Sequence, residues 1–256
     1  MSLEKAKKIV IKIGSNILTD LQNQLDLNNM RALVKQICFL KSKGKDVVVV
    51  SSGAILSGSS VLGYKPIKIP EKQAAAAIGQ TLLLDKYQSF FNFEGYYIAQ
   101  ILLTLDVILD QERLTNTKNT IETILERKNI IPIVNENDTV AVDEIKFSDN
   151  DSLSAEVAQI IGADYLIILT DIDGVYNKDP RVNQDAYLLH QISDLSTAMI
   201  EELGGCSHKG TGGMKTKLLA AKEAIDHKIE VVIANGRDNL IINKLYENQE
   251  VGTKFI

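Results

Sequence analysis

Histidine, cysteine and proline are scarce: three, two and four residues in a chain of 256. His190, His208 and His227 are too scattered to build a zinc site or a nucleophile–base–acid triad. Cys38 and Cys206 lack metal-ligand spacing and read as free thiols of a reducing compartment. Four dispersed prolines form no linker, and no repeat or low-complexity segment divides the chain. Positive charge is not in excess either. Lys plus Arg is 28 against 33 Asp plus Glu, a net charge of −5. With no basic face and no basic–aromatic stripe, no nucleic acid is expected as a partner. The longest apolar runs, Val47–Val50, Ile98–Leu105 and Leu166–Leu169, have the length of strands and fall far short of a membrane span. Met1–Lys8 carries no signal-type apolar core. A cytoplasmic protein with no membrane partner is the expectation.

What is present is a globular composition, 45% hydrophobic and 24% charged, on a chain long enough for a sizeable core. Strand-like and helix-like segments alternate. Lys8–Ile13 reads as a buried strand, and Asp46–Val50, Tyr97–Leu103, Ile130–Val134, Tyr165–Leu169 and Glu230–Ala234 read as further strands. Leu27–Lys43 is amphipathic and closed by Gly44, and Glu71–Phe91 is a long Ala- and Leu-rich helix. Thr117–Lys128, Asp194–Leu203, Met214–His227 and Asn239–Glu247 are also helical, and Asp151 or Ser152 caps a helix running to Ile161. A hairpin-like segment is expected near Glu144–Phe147. Continuous apolar strands separated by helices predict an α/β fold with a mostly parallel central sheet covered on both faces.

In such sheets ligands gather at the carboxyl ends of strands, and the polar clusters of this sequence fall there. Lys12-Ile13-Gly14-Ser15 offers an ammonium for a phosphate and a backbone open to close approach, or simply a lysine reaching water. Ser51-Ser52-Gly53-Ala54 offers amides and the Ser52 hydroxyl to an anion, or a plain helix cap. Asn135-Glu136-Asn137-Asp138 can read a polar ligand, with Asp138 suited to an ammonium, or form an Asx turn. Ser148-Asp149-Asn150-Asp151 can organise lysines or Mg²⁺, or cap a helix. Thr170-Asp171-Ile172-Asp173-Gly174-Val175-Tyr176 can hold a base and ribose, or turn the chain. Gly210-Thr211-Gly212-Gly213-Met214-Lys215-Thr216-Lys217 is a glycine loop feeding a helix, suited to phosphate or to a flexible connection. No Walker A sequence, dinucleotide fingerprint, nucleophile elbow or protein-kinase set is present.

Together Val50–Ala54, Asn135–Asp138, Asp149–Asp151 and Gly210–Lys217 resemble the amino acid kinase family, and within it the members that phosphorylate glutamate. The match runs from Lys12 to the closing Gly252-Thr253-Lys254-Phe255. The resemblance implies a single α/β/α sandwich over residues 1–256. Its acceptor-binding half would be about 1–164 and its nucleotide-binding half about 165–256, without the C-terminal PUA domain that many relatives carry. It implies ATP-dependent phosphorylation of the L-glutamate side chain, the first step of proline biosynthesis, with Mg²⁺, in a homo-oligomer open to feedback by proline. Carried over by motif, Lys12, Lys217 and Asp151 are catalytic, with Asp151 organising the lysines. Ser52, Gly53, Ala54, Asn135, Asp138 and Asn150 bind glutamate. Lys12, Gly14, Thr170, Asp171, Thr211, Gly212, Gly213, Met214, Lys215, Thr216 and Lys217 bind ATP. Asp138 speaks for free glutamate over N-acetylglutamate, which has no ammonium, and the absence of arginine beside Ser51–Ala54 speaks against uridine monophosphate. A nucleotide or amino-acid sensor would use the same loops without needing both lysines.

Overall fold

The computed structural model describes residues 2–141, 150–204 and 213–256. Its frame is one eight-stranded sheet, built from β1 (Lys8–Ile13), β2 (Asp46–Ser51), β3 (Tyr97–Leu103), β4 (Ile130–Glu136), β5 (Tyr165–Thr170), β6 (Gln191–Ile192), β7 (Glu230–Asn235) and β8 (Thr253–Phe255). The strand order is β3-β4-β2-β1-β5-β7-β8-β6. The six strands from β3 to β7 in that order are parallel, β8 is antiparallel to β7, and β6 is parallel to β8. The chain leaves β1 toward β2 on one side and returns to β5 on the other. The carboxyl ends of β1, β2, β4 and β5 therefore open on a common crevice at a switch point.

Strand periodicity decides which side chains each face receives. Ile9, Ile11 and Ile13 of β1 pack with α1 (Leu27–Ser42) and α3 (Ile69–Phe93), through residues such as Leu33, Ile37, Tyr87 and Phe91. Val10 points the other way, into a core with Val50, Ile168, Leu153 of α6 (Asn150–Ile160) and Leu218 of α8 (Met214–Asp226). Lys12 shares the parity of Val10, so an ammonium stands where the pattern calls for another apolar residue. It needs a partner on that layer to be tolerated.

Behind the turn that follows β2, α2 (Ala54–Leu62) lies directly on α3. A Cβ placed on Gly79 would stand 1.8 Å from the Ala54 carbonyl, and one on Gly58 would stand 1.8 Å from the Ala75 carbonyl. Both obstructions are backbone, so neither yields by a rotamer change. Gly79→Ala is expected to cost about 3 kcal/mol or more of stability, the upper range for overpacking, and thermal or denaturant unfolding measures it.

Several elements depart from the sequence expectation. β4 runs two residues beyond Val134, so Asn135 and Glu136 belong to the strand rather than lying past it. Its pairing with β2 begins only at Ile133, just after Pro132, which has no N–H to give. The helix expected at Thr117–Lys128 is α5 (Gln111–Glu126). The Asp110 carboxylate accepts from the Glu112 and Arg113 amides and starts the helix earlier. It follows a one-turn α4 (Leu105–Leu109). α6 starts at Asn150, so neither Asp151 nor Ser152 is its cap; both lie within the first turn. The helix expected at Asp194–Leu203 is α7 (Thr197–Gly204), and Asn239–Glu247 shortens to α9 (Ile241–Tyr246). β6 and β8, of two and three residues, are too short to show a period in sequence. The segment near Glu144–Phe147 lies outside the described residues. No helix among the described residues is long and apolar enough to cross a membrane.

Candidate active site

Three chain segments distant in sequence place charges on one spot. β1 delivers Lys12 at its carboxyl end, the first turn of α6 delivers Asp151, and the first turn of α8 delivers Lys217. The Asp151 carboxylate has no exposed surface, and the Lys12 and Lys217 side chains are 5% and 8% exposed. Lys12 Nζ stands 2.5 Å from Asp151 Oδ1 and Lys217 Nζ stands 3.1 Å from Oδ2. The Thr216 hydroxyl lies 2.9 Å from Asp151 Oδ2 and equally far from the Gly213 carbonyl. In each helix the charged residue takes a position on the face that is otherwise buried: Asp151 with Ser154, Ala155 and Ala158, and Lys217 with Leu218, Ala221 and Ala224.

Burial by itself pushes the Asp151 carboxyl up, but Lys12 and then Lys217 overrule it and hold the group at about 2. One carboxylate between two ammonium groups leaves the cluster one positive charge in excess. A buried site of that charge at the carboxyl edge of a parallel sheet is built for an anion. Gly14 lies beside it, where a Cβ would come into van der Waals contact with Lys12 Nζ at 3.4 Å.

On the neighbouring strand ends lies a set of small and amide residues, with Asp138 beyond them. Gly53, at φ +110°, makes the turn from β2 into α2 and caps that helix without a side-chain bond, which sets aside the reading of Ser52 as a plain cap. Gly53 and Ala54 are buried and Ser52 is half-buried. The two hydrogens of Asn150 Nδ2 are shared among three acceptors, Ser52 Oγ at 2.9 Å, Asn135 Oδ1 at 2.9 Å and the Ser51 carbonyl at 3.2 Å. Asn150, first residue of α6, thus joins the Lys12–Asp151–Lys217 cluster on one side to the ends of β2 and β4 on the other. Asp138 is half-buried in the turn after β4. The Ser51 hydroxyl is tied to the Tyr87 hydroxyl of α3 at 2.8 Å, which fixes the end of β2 from below.

Across the crevice, β5 ends in buried Thr170, and exposed Asp171 follows it. Asn16 Nδ2 donates to Asp171 Oδ2 at 3.3 Å, and Arg237, past β7, donates to the Asn16 and Thr19 carbonyls. The loop after Asp171 is braced from the C-terminus, where buried Thr253 Oγ1 accepts from the Val175 amide at 2.7 Å. Gly213 precedes α8 and Met214 opens it, both half-buried. Lys215 does not join Lys217: it is exposed and pairs with Glu201 of α7 at 2.7 Å. Thr211, Gly212 and the rest of 205–212 lie outside the described residues, as do Ser148 and Asp149.

Gln80, Tyr87 and Asn16 touch this framework and were not singled out in the sequence. Gln80 had a legible signal, being a lone amide on the buried stripe Ala76, Gln80, Leu83, Tyr87, Phe91 of α3. Asn16 had none.

The family model of the amino acid kinase family matches residues 7–235. Among curated relatives, a glutamate 5-kinase of Geobacter metallireducens is 46% identical over 257 residues, covering 99% of this chain and 69% of the relative. A glutamate 5-kinase of Caldanaerobacter subterraneus subsp. tengcongensis is 44% identical, covering 97% of this chain and 68% of the relative. One of Clostridium tetani is 45% identical and is covered over 96% of its own length, with 99% of this chain. Among solved structures, carbamate kinase from Giardia lamblia bound to AMP-PNP superposes with a TM-score of 0.68 at 16% identity, over 99% of both chains. UMP kinase from Bacillus anthracis gives 0.67 at 14% identity, over 98% of this chain and 96% of its own. These two show a shared fold.

Proposed function

The chain belongs to the amino acid kinase family, and on that premise we propose that it transfers the terminal phosphoryl group of MgATP to the side-chain carboxylate of L-glutamate. The product is L-glutamyl 5-phosphate, and the reaction opens proline biosynthesis. The observation that carries this reading is the meeting of Lys12 and Lys217, from opposite halves of the chain, on one buried carboxylate.

The chemistry needs no general base. A glutamate side chain has an ordinary pKa of about 4.3 and is already a nucleophilic anion at neutral pH. The obstacle is repulsion between that anion and a triphosphate. Alignment and charge compensation remove it. In this reading Lys12 and Lys217 flank the phosphoryl group in transit, and Asp151 holds both ammonium groups at fixed positions. Ser52 with Gly53 and Ala54, together with Asn135 and Asn150, holds the reacting end of glutamate, and Asp138 receives its ammonium. Thr170 and Asp171 with Gly14 and the segment 211–217 hold the nucleotide. Residues 1–164 then form the acceptor half and 165–256 the nucleotide half.

Magnesium enters with the nucleotide. Among the described residues no group of three His, Cys, Asp or Glu is placed to hold an ion, and Asp151 is engaged by two lysines. The fit is to MgATP as substrate, its ion sharing the phosphate charge with the lysines.

ADP release from MgATP, compared across glutamate, N-acetylglutamate, aspartate and UMP, tests the reading. Glutamate alone should drive rapid release, and release driven by UMP or N-acetylglutamate instead overturns it. Asp138→Ala should raise the KM for glutamate by about tenfold or more, the scale for one charge-assisted contact, and leave the KM for ATP within about twofold. Equal effects on both would remove Asp138 from the acceptor site. The same reading has the enzyme working in the cytoplasm as a homo-oligomer with proline as feedback inhibitor. Sedimentation and a proline titration of the assay decide the last two.

A further inference from the structure

The amide groups beside the crevice have a polarity that two backbone atoms settle. Asn135 Oδ1 faces the Glu136 N–H at 2.9 Å, and an N–H can only donate. Asn135 Nδ2 must then point the other way, where it donates to Gln80 Oε1 of α3 at 2.9 Å. At the far end Asn150 Nδ2 faces the Ser51 carbonyl, which can only accept. The same Nδ2 donates to Asn135 Oδ1 and to Ser52 Oγ. The chain Gln80–Asn135–Asn150–Ser52 is therefore directional. Ser52 receives a hydrogen bond from Asn150, so its own O–H is directed elsewhere as a donor, the polarity that suits a carboxylate.

Gln80 lies deep behind this chain, 9% exposed, and Asn135 is 3% exposed. Gln80 Nε2 is buried and has no hydrogen-bond partner among the described residues. Only the oxygen end of this amide is used. A leucine or methionine would fill the same space without burying an unmet donor, so packing does not account for an amide here. We propose that Gln80 is a positioning residue for the acceptor, holding the Asn135 amide from behind so that Asn150 and Ser52 meet the glutamate carboxylate in a fixed orientation. The proposal rests on the function given above. Gln80 does not touch the ligand; it acts through Asn135.

With the acceptor atom at position 80 removed, Asn135 keeps only the contacts at its Oδ1, from the Glu136 N–H and Asn150 Nδ2, and its buried Nδ2 loses its acceptor. Gln80→Met preserves length and removes the acceptor, Gln80→Leu is a second variant without one, and Gln80→Glu keeps an oxygen facing Asn135. Steady-state kinetics with glutamate and MgATP varied separately, plus the thermal midpoint, give the reading. Whichever of the Met and Leu variants folds should raise the KM for glutamate about tenfold, with the KM for ATP and kcat within about twofold. Gln80→Glu should stay closer to wild type than either. An unchanged glutamate KM, a parallel rise in both KM values, or a Gln80→Glu variant no better than Gln80→Met overturns the proposal and leaves a packing role. A wild-type enzyme that does not phosphorylate glutamate overturns the function itself, a result distinct from any of these.

Discussion

Replacing Lys217 by alanine should lower turnover by about a hundredfold or more, the scale for losing one preorganised charge contact in a transition state. Replacing Lys12 should do the same. Each ammonium is buried at the carboxyl edge of the sheet and anchored on Asp151, so neither reorganises to meet developing charge. An interaction made chiefly in the transition state lowers kcat and kcat/KM together, whereas a ground-state contact to ATP raises KM with kcat intact. Steady-state rates on folded variants separate the two. A Lys217→Ala enzyme with near wild-type turnover would remove that residue from the chemistry and favour a sensor that binds without transfer. The two variants need not lose alike in stability. With either lysine gone, Asp151 keeps one partner and its charge is still met.

The reverse substitution is harsher. Asp151→Ala leaves two buried ammonium groups facing each other without their shared counter-ion. Breaking a buried ion pair from one side costs about 3–5 kcal/mol, and here one carboxylate is shared by two ammonium groups. Unfolding at pH 7 should show a loss of that size, together with loss of activity beyond that of either lysine variant. Acid gives a second reading of the same group. The carboxyl is held at about 2 in the fold, against an ordinary 3.8. The stabilisation it contributes is therefore complete above about pH 4 and drains away as pH falls through about 2. The wild type should lose stability across that window faster than Asp151→Ala. If the two curves run parallel, the carboxylate is not the tie between the lysines.

Much of this was legible in the sequence because the signals were local. Six strands announced themselves as apolar runs, five of them buried and β3 largely open at the sheet edge, and the parallel sheet followed from the helices between them. The pairing of Lys12 with Lys217 was not readable by spacing, since 205 positions of chain separate them; only the motif resemblance joined them in advance. Asp151 was misread locally for a physical reason. An acid in the first turn of a helix normally serves the helix, whereas this one is engaged by two ammonium groups from other elements. The end of β4 was misplaced because Asn135 and Glu136 look like turn residues, yet both are buried and laddered to Leu102 and Leu103 of β3. The role of Asn150 as a joint between the charged cluster and the ends of β2 and β4 depends on a contact to Ser52, 98 residues away, that no local pattern encodes.

The most direct measurement is chemical trapping. Hydroxylamine added to enzyme, MgATP and glutamate intercepts an acyl phosphate as the γ-hydroxamate. One hydroxamate should form for each ADP released, and its formation should fall by about a hundredfold with Lys217→Ala while MgATP still binds. ADP released without hydroxamate, or hydroxamate formed as fast without that lysine, would contradict the transfer of phosphate to a carboxylate between two converging lysines.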